Sequence, residues 1–184
     1  MTYPKLQMLI AGQWTDGTSG IFEDVFCPAD GKVIGKVPHA SKSDLDDALS
    51  SSLDGFNKWR KETPLHRQAV LEKTAQVLER NFEENAANLT REMGKPVAEA
   101  KIEMQVAIDL LRWYGEEGKR VYGRIIPSRI PGMQHEARKV PVGPSLAFVA
   151  WNFPATNVMR KVAGALAANR LYQAMGLQHC APLT

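Results

Sequence analysis

The chain has 184 residues, of which 44% are hydrophobic and 23% charged, a balance typical of a globular protein of one to one and a half domains. Its 23 basic and 20 acidic side chains are mixed along the sequence and give a net charge of +3, which argues against a nucleic-acid partner. No apolar run reaches the about 20 residues that a membrane helix needs, and residues 1–9 do not resemble a signal peptide, so we expect a cytoplasmic protein that does not bind membranes. Because Cys27, Cys180 and the four histidines form no metal-binding pattern, no metal site is predicted.

The first part of the chain alternates short apolar runs with turn residues. This pattern predicts β-hairpins over residues 8–26, followed by a turn over 28–31 and a short strand over 32–37. The first part of the chain is therefore expected to be rich in β-structure.

Helix signals begin after this region. Ser43 is the expected N-cap of the first helix because acidic residues follow it. The predicted apolar face of that helix consists of Leu45, Ala48, Leu49, Leu53 and Phe56. A second helix is predicted to start at Thr63, with Pro64 in its first turn.

Two further helices and an extended segment follow. Asn81 is expected to cap a third helix that ends at Gly94, and the long fourth helix is predicted over about 97–118. Residues 122–140 contain several prolines and glycines among apolar and polar residues, which predicts an extended arm or a hairpin.

The last clear pattern is a strand, a turn and a helix. Residues 145–150 read Ser-Leu-Ala-Phe-Val-Ala, a compact apolar run that suits a strand buried on both faces. A turn over 152–154 and a helix over 156–168 follow, which is the order that opens a Rossmann-type βαβ unit. Residues 169–184 carry no strand signal, so the unit is predicted to stop there.

Several short motifs occur in a fixed order between residues 8 and 168. They are Ile-x-Gly-x-Trp at 10–14, Pro-Ala-Asp-Gly at 28–31, Trp59 with Pro64 and Arg67, Glu-x-Gly-Lys-Pro at 92–96, Pro-x-Gly at 141–143, Trp-Asn-Phe-Pro at 151–154 and Lys-x-x-x-Ala-Leu-Ala at 161–167. Together they resemble the N-terminal part of the NAD(P)-dependent aldehyde dehydrogenase superfamily. Residues 117–123 and Arg160 are most similar to its succinate-semialdehyde dehydrogenase branch.

The resemblance implies an α/β fold. The chain would be the N-terminal part of a Rossmann-type cofactor domain, truncated after the first strand, turn and helix, with part of the oligomerisation arm. Residues 1–121 would form the β-rich and helical part of the cofactor domain, and 122–140 the arm toward the oligomerisation domain. Residues 141–168 would begin the Rossmann-type unit, and 169–184 would be an aberrant tail.

The same resemblance assigns candidate site residues. Asn152 matches the asparagine whose side-chain amide donates to the oxyanion, and Val149, Ala150 and Trp151 match the strand end that lines the NAD or NADP pocket. Arg160 matches an arginine that faces a substrate carboxylate. From the residues alone, Asn152 could instead merely shape a turn, Val149 and Ala150 could be core, and Arg160 and the adjacent lysine could equally be solvated helix charges.

Other parts of the family's catalytic machinery have no match in these residues. The chain departs from the pattern at Asn169, where the family has glycine, and the cofactor-binding lysine, the glycine-rich turn, the general base and the nucleophilic cysteine have no counterpart. Cys27 is expected to be structural, and the neighbours of Cys180 do not resemble the catalytic loop.

We therefore expect a family member whose full-length relatives oxidise a small-molecule aldehyde, with succinate semialdehyde as one candidate. The chain alone is expected to be inactive and to bind NAD or NADP weakly or not at all. The alternative is an interaction module, or one half of a split enzyme, that associates with a homologous dehydrogenase subunit.

Overall fold

The structure is a computed structural model that describes residues 3–168 and the backbone of residues 172–175. The described strands are β1 (Met8–Ile10), β2 (Gln13–Thr15), β3 (Phe22–Phe26), β4 (Val33–Pro38), β5 (Arg124–Pro127), β6 (Gln134–Ala137), β7 (Ser145–Phe148) and β8 (Tyr172–Met175). The described helices are α1 (Lys42–Trp59), α2 (Pro64–Arg80), α3 (Phe82–Met93), α4 (Val97–Glu117) and α5 (Pro154–Ala167), with a 3₁₀ turn after α4. None of the helices in this part of the chain is long and apolar enough to cross a membrane.

Strand pairing divides the described part into three antiparallel hairpins and one parallel pair. Strands β1 and β2, β3 and β4, and β5 and β6 each form a hairpin, and β7 pairs in parallel with β8. Helix α5 connects the two parallel strands, so these elements form a βαβ unit. The predicted α/β fold is confirmed. The 122–140 segment contains the β5–β6 hairpin, and its place as an arm toward an oligomerisation domain stays a prediction.

The prediction that no strand follows α5 is wrong for Tyr172–Met175. The backbone of this segment pairs with β7 from Ser145 opposite Tyr172 to Phe148 opposite Met175. Pairing of main-chain donors and acceptors does not need an apolar periodicity, so a four-residue strand at this position gave no recognisable sequence signal. The rest of the predicted tail, 169–171 and 176–184, lies outside the described residues.

Strand β7 is shorter and more exposed than predicted. It ends at Phe148 instead of residue 150, and Leu146 and Phe148 are 54% and 61% exposed, whereas Ala147 is buried. In the described part of the chain only the face that carries Ala147 is covered, so the expectation of burial on both faces is wrong here.

Helix α1 starts two residues earlier than predicted. The N-cap is Ser41 and not Ser43, because Asp44 stands at the third helical position and completes a capping box with Ser41. The Ser41 hydroxyl accepts from the Asp44 amide at 3.2 Å, and the Asp44 carboxylate accepts from the Ser41 amide at 2.8 Å. The predicted apolar face is also only partly correct, since Leu49 and Leu53 are exposed. The buried residues of α1 are Asp44, Ala48, Ser52 and Phe56.

Asp44 makes the stability of the N-terminal region dependent on pH. Backbone N–H groups of Thr18 and Ser41 donate to its carboxylate and lower its pKa from 3.8 to about 2. A folded-state pKa below the unfolded one stabilises the fold above about pH 4, and this stabilisation is lost as the pH falls toward 2. In urea unfolding from pH 7 to pH 2.5, we therefore expect Asp44→Asn to be less stable than the parent at pH 7, with the difference shrinking as the pH falls.

The matched control for this prediction is Asp47→Asn, which changes an exposed carboxylate of the same helix. Its difference from the parent in free energy of unfolding should stay small across the range. Equal pH dependence in the Asp44 and Asp47 variants would contradict the role assigned to Asp44.

The main apolar core lies between α2, α4 and α5. Its buried members are Leu71, Ala75, Ile108, Leu111, Ala163 and Ala167. Small residues let α5 approach closely: a Cβ on Gly118, at the end of α4, would lie 2.9 Å from the Ala167 carbonyl oxygen. Helix α5 is therefore held firmly against α4, and this position decides where the turn before α5 lies.

Candidate active-site turn at the start of α5

The turn between β7 and α5 presents apolar and amide side chains at the surface. Asn152 is exposed, and Trp151 and Phe153 are 55% and 50% exposed. Ala150 is also exposed, whereas Val149 is half-buried. Pro154 occupies the first helical position, where its fixed φ and missing N–H suit a helix start.

The backbone donors at the start of α5 bind a side chain from another helix. The N-cap residue Phe153 provides no side-chain cap. Instead, Glu103 of α4 accepts from the backbone N–H groups of Ala155 at 2.9 Å and Thr156 at 3.2 Å. Asn157 then donates to the Phe153 carbonyl and begins the helical ladder. Negative charge at a helix N-terminus is favourable, so Glu103 serves as the cap that the local sequence lacks.

Glu103 is buried as an ion pair with Lys95. Their side chains are 1% and 9% exposed, and the Lys95 ammonium donates to the Glu103 carboxylate. Lys95 also donates to the backbone carbonyl of Asn152 at 3.2 Å and lies 4.5 Å from the centroid of the Phe153 ring. A buried carboxylate needs a counter-charge and hydrogen bonds, and both are present here.

The other end of α5 is held by donors from α1 and α2. Trp59 donates its indole N–H to the Leu166 carbonyl at 3.0 Å, and Arg67 donates its Nε to the Ala167 carbonyl at 3.1 Å. Positive charge near a helix C-terminus is favourable, and burial lowers the pKa of Arg67 without removing its charge. Two residues of the motif Trp59, Pro64 and Arg67 therefore act on the same helix as Glu103.

Several of the motifs thus meet around a single helix, since Trp59, Arg67 and Lys95 contact α5 or the turn before it. A family model described as the aldehyde dehydrogenase family matches residues 14–171. The chain belongs to the aldehyde dehydrogenase family. Members of this family oxidise aldehydes with NAD or NADP.

Curated relatives match almost all of this chain, but the chain spans about a third of their length. It is 43% identical over 162 residues to the 4-(hydroxymethyl)benzenesulfonate dehydrogenase TsaD1 of Comamonas testosteroni, covering 88% of this chain and 34% of that protein. It is 39% identical over 164 residues to the succinate semialdehyde dehydrogenase of Acinetobacter baylyi, covering 89% and 34% respectively.

Solved aldehyde dehydrogenase structures have the same fold over this part. The succinate-semialdehyde dehydrogenase of Burkholderia pseudomallei superimposes with a TM-score of 0.91 at 34% identity, covering 94% of this chain and 36% of that one. The predicted family and its similarity to succinate-semialdehyde dehydrogenases are confirmed. The comparisons give no support to the alternative of an interaction module or a split enzyme.

The predicted site residues fall on two parts of the βαβ unit. Val149, Ala150, Trp151 and Asn152 follow one another in the turn, while Arg160 lies on α5, about two helical turns from its start. Arg160 is exposed and has no ion-pair or hydrogen-bond partner among the described residues. The roles of all five in cofactor or substrate binding stay predictions.

The sequence patterns did not identify the most connected residues of this site. Lys95 was recognised only as part of the Glu-x-Gly-Lys-Pro motif, and none of the motifs contains Glu103. One signal was present: Glu103 is a charged residue between Ala100 and Ala107 on the apolar face of α4. Lys161, for which a solvated position was one possibility, donates to the Phe148 carbonyl at the end of β7.

Proposed function

We propose that this chain contributes the oxyanion donor and one wall of the cofactor pocket of an aldehyde dehydrogenase. The observation that supports the proposal is the difference between the backbone carbonyl of Asn152 and its side-chain amide. Its backbone carbonyl accepts from Lys95, whereas no described residue forms a hydrogen bond with its exposed side-chain amide. The turn is thus fixed through the main chain while the amide remains available to a ligand.

An amide suits the chemistry of aldehyde oxidation by a thiolate. Attack on the carbonyl carbon converts the carbonyl oxygen into an oxyanion, which needs a donor that does not titrate. Asn152 would donate to this oxygen. NAD or NADP, when bound, supplies the hydride acceptor. Ala150 and Trp151 offer an exposed, largely apolar wall at the carboxyl end of β7, the edge where open α/β sheets bind ligands.

The thiolate is not assigned within the described residues. Cys27 is half-buried at the end of β3, in the N-terminal hairpin region, and Cys180 lies outside the described residues. Residues beyond the matched third of the relatives would supply the nucleophile and the general base.

The test of this proposal is a chimera that joins residues 1–168 to the remaining C-terminal part of the Acinetobacter baylyi relative. We expect the chimera to reduce NAD or NADP in the presence of an aldehyde. A chimera that folds, as judged by circular dichroism and a single oligomeric species, but shows no turnover would contradict the proposal.

The proposed substrate is a small aldehyde with an anionic group. The name of one relative contains a sulfonate, and the name of the other contains a semialdehyde of a dicarboxylic acid. Both of the named compounds therefore carry an anionic group. In this chain, Arg160 is an exposed guanidinium without a described partner on the helix that follows the turn. A guanidinium binds carboxylate or sulfonate oxygens through parallel charge-assisted hydrogen bonds.

In the chimera, Arg160→Ala should raise the KM for succinate semialdehyde about 10- to 100-fold, the size expected for a lost charge-assisted hydrogen bond. Turnover at saturation should change less, because the anion lies away from the reacting carbonyl. Steady-state kinetics with benzaldehyde, which has no anion, should show no such rise. Lys73→Ala, which removes an exposed cation of α2, is the control. Equal effects of Arg160→Ala on both aldehydes would rule out anion recognition by Arg160.

A further inference from the structure

We infer that the buried Lys95–Glu103 pair is the positioning device of the active-site turn, holding Asn152 through the main chain from 152 to 156. The pair touches the backbone at three points: the Asn152 carbonyl and the N–H groups of Ala155 and Thr156. The Thr156 hydroxyl adds a contact to the main-chain carbonyl of Glu103 at 3.4 Å. That the positioned amide meets an oxyanion rests on the proposed function; the positioning itself does not.

The donors at the start of α5 show why a residue from another helix is needed. Pro154 has no N–H, and Asn157 donates within the chain to Phe153. Between them, the N–H groups of Ala155 and Thr156 have no intrahelical acceptor. One carboxylate oxygen of Glu103 accepts both, so every backbone donor in the first turn has a partner.

Lys95 couples this carboxylate to the turn itself. Its ammonium donates to Glu103 and to the Asn152 carbonyl and lies over the Phe153 ring. A displacement of Glu103 would therefore move the group that binds Asn152. Lys95 follows Gly94, whose φ of 73° ends α3 in the left-handed region, so the backbone that carries Lys95 is set by a helix terminus.

A purely stabilising role would give a different result from a positioning role. Trp59, Arg67 and the apolar core hold the C-terminal half of α5 independently of Glu103. Loss of the pair should therefore release residues 152–156 while the rest of α5 stays folded, whereas a merely stabilising contact would weaken the whole helix.

The first experiment uses the unmutated 184-residue chain and amide hydrogen exchange measured by NMR. The start of α4 is an internal control, because no side chain caps it. We expect the amides of Ala155 and Thr156 to exchange at least about tenfold more slowly than those of Ala98 and Glu99, relative to their intrinsic rates, the size expected of hydrogen bonds to a charged acceptor. Equal exchange at the two helix starts would overturn the inference.

The second experiment compares Glu103→Gln with Glu72→Gln. Glu72 is also a helical carboxylate paired with a cation, Arg112, but that pair joins α2 to α4 away from the turn. A glutamine at 103 that accepts from Ala155 turns its NH₂ toward the Lys95 ammonium, which places donors against donors. Exchange at Ala155 and Thr156 should become at least about tenfold faster, and the side-chain amide resonances of Asn152 should shift. Neither change is expected in Glu72→Gln.

The double variant Lys95→Met with Glu103→Gln provides the rescue. Removing the ammonium removes the conflict, so exchange at Ala155 and Thr156 should return to within a few-fold of the parent. The Asn152 resonances should remain shifted, because their carbonyl has still lost Lys95. If the double variant exchanges as fast as Glu103→Gln, or if Glu103→Gln behaves like Glu72→Gln, the pair does not position the turn.

These measurements are independent of turnover. If the chimera is inactive but the exchange and resonance results follow the pattern above, the proposed function fails and the positioning device stands. If the chimera is active but exchange at Ala155 and Thr156 does not follow this pattern, the proposed function stands and the inferred positioning role fails. If a variant does not fold, the comparison of amide exchange at the starts of α4 and α5 in the unmutated chain still tests the inference.

Discussion

Asn152→Ala is expected to lower the turnover of the chimera about 100-fold or more, the usual effect of removing one oxyanion donor. Under the proposed function, the side-chain amide would face negative charge that develops on the aldehyde oxygen during attack and is absent in the bound substrate. Its loss should therefore lower kcat and kcat/KM together, with a smaller effect on cofactor affinity. Steady-state kinetics with succinate semialdehyde, together with a single-turnover measurement of the attack step, provide the test.

Asn157→Ala is the matched control, since Asn157 is a half-buried asparagine in the first turns of the same helix. It should leave turnover within a few-fold of the parent chimera. If Asn152→Ala also stays within a few-fold, Asn152 shapes the turn but does not contact the oxyanion.

The 184-residue chain alone is expected to show no aldehyde-dependent reduction of NAD or NADP. Catalysis needs a thiolate and a base in addition to an oxyanion donor, and the described residues supply only the last of these under our proposal. The measurement is absorbance at the reduced-nicotinamide band with purified protein, against a buffer blank.

Two cysteine variants would identify the source of any turnover that the 184-residue chain does show. Turnover that persists in Cys27→Ala/Cys180→Ala would contradict thiolate chemistry altogether. Turnover that disappears in Cys180→Ala alone would place the nucleophile in the C-terminal segment and would show that its neighbours were misjudged.

Local signals predicted much of the helical part. Thr63 with Pro64 starts α2 as expected, since the Thr63 hydroxyl accepts from the His66 amide at 3.2 Å and proline occupies the first turn. Gly94 ends α3 as expected. Each of these features depends on residues within four positions of one another, so the sequence alone contains the necessary information.

Features that depend on distant partners were not predictable in the same way. Glu103 binds Ala155 and Thr156 across more than fifty positions, and no local pattern relates an acid in one helix to the start of another. Leu49 and Leu53 fit a helical apolar face, yet in the described part of the chain Asp44 and Ser52 are buried instead. Tertiary contacts determine which side chains are buried and which partners they bind, whereas helix periodicity only indicates which residues share a face.

The backbone N–H groups at the start of α5 are already hydrogen-bonded to Glu103, and this affects where a phosphate group could bind. In many Rossmann-type proteins the first helix start binds the dinucleotide's diphosphate with free N–H groups. Here Pro154 has no N–H, and those of Ala155 and Thr156 already bind a carboxylate. A diphosphate at this helix start would find no free backbone donor in the first turn. Under the proposed function, the diphosphate of NAD or NADP would therefore be bound by other groups, and the turn would remain available to the nicotinamide and the reacting aldehyde.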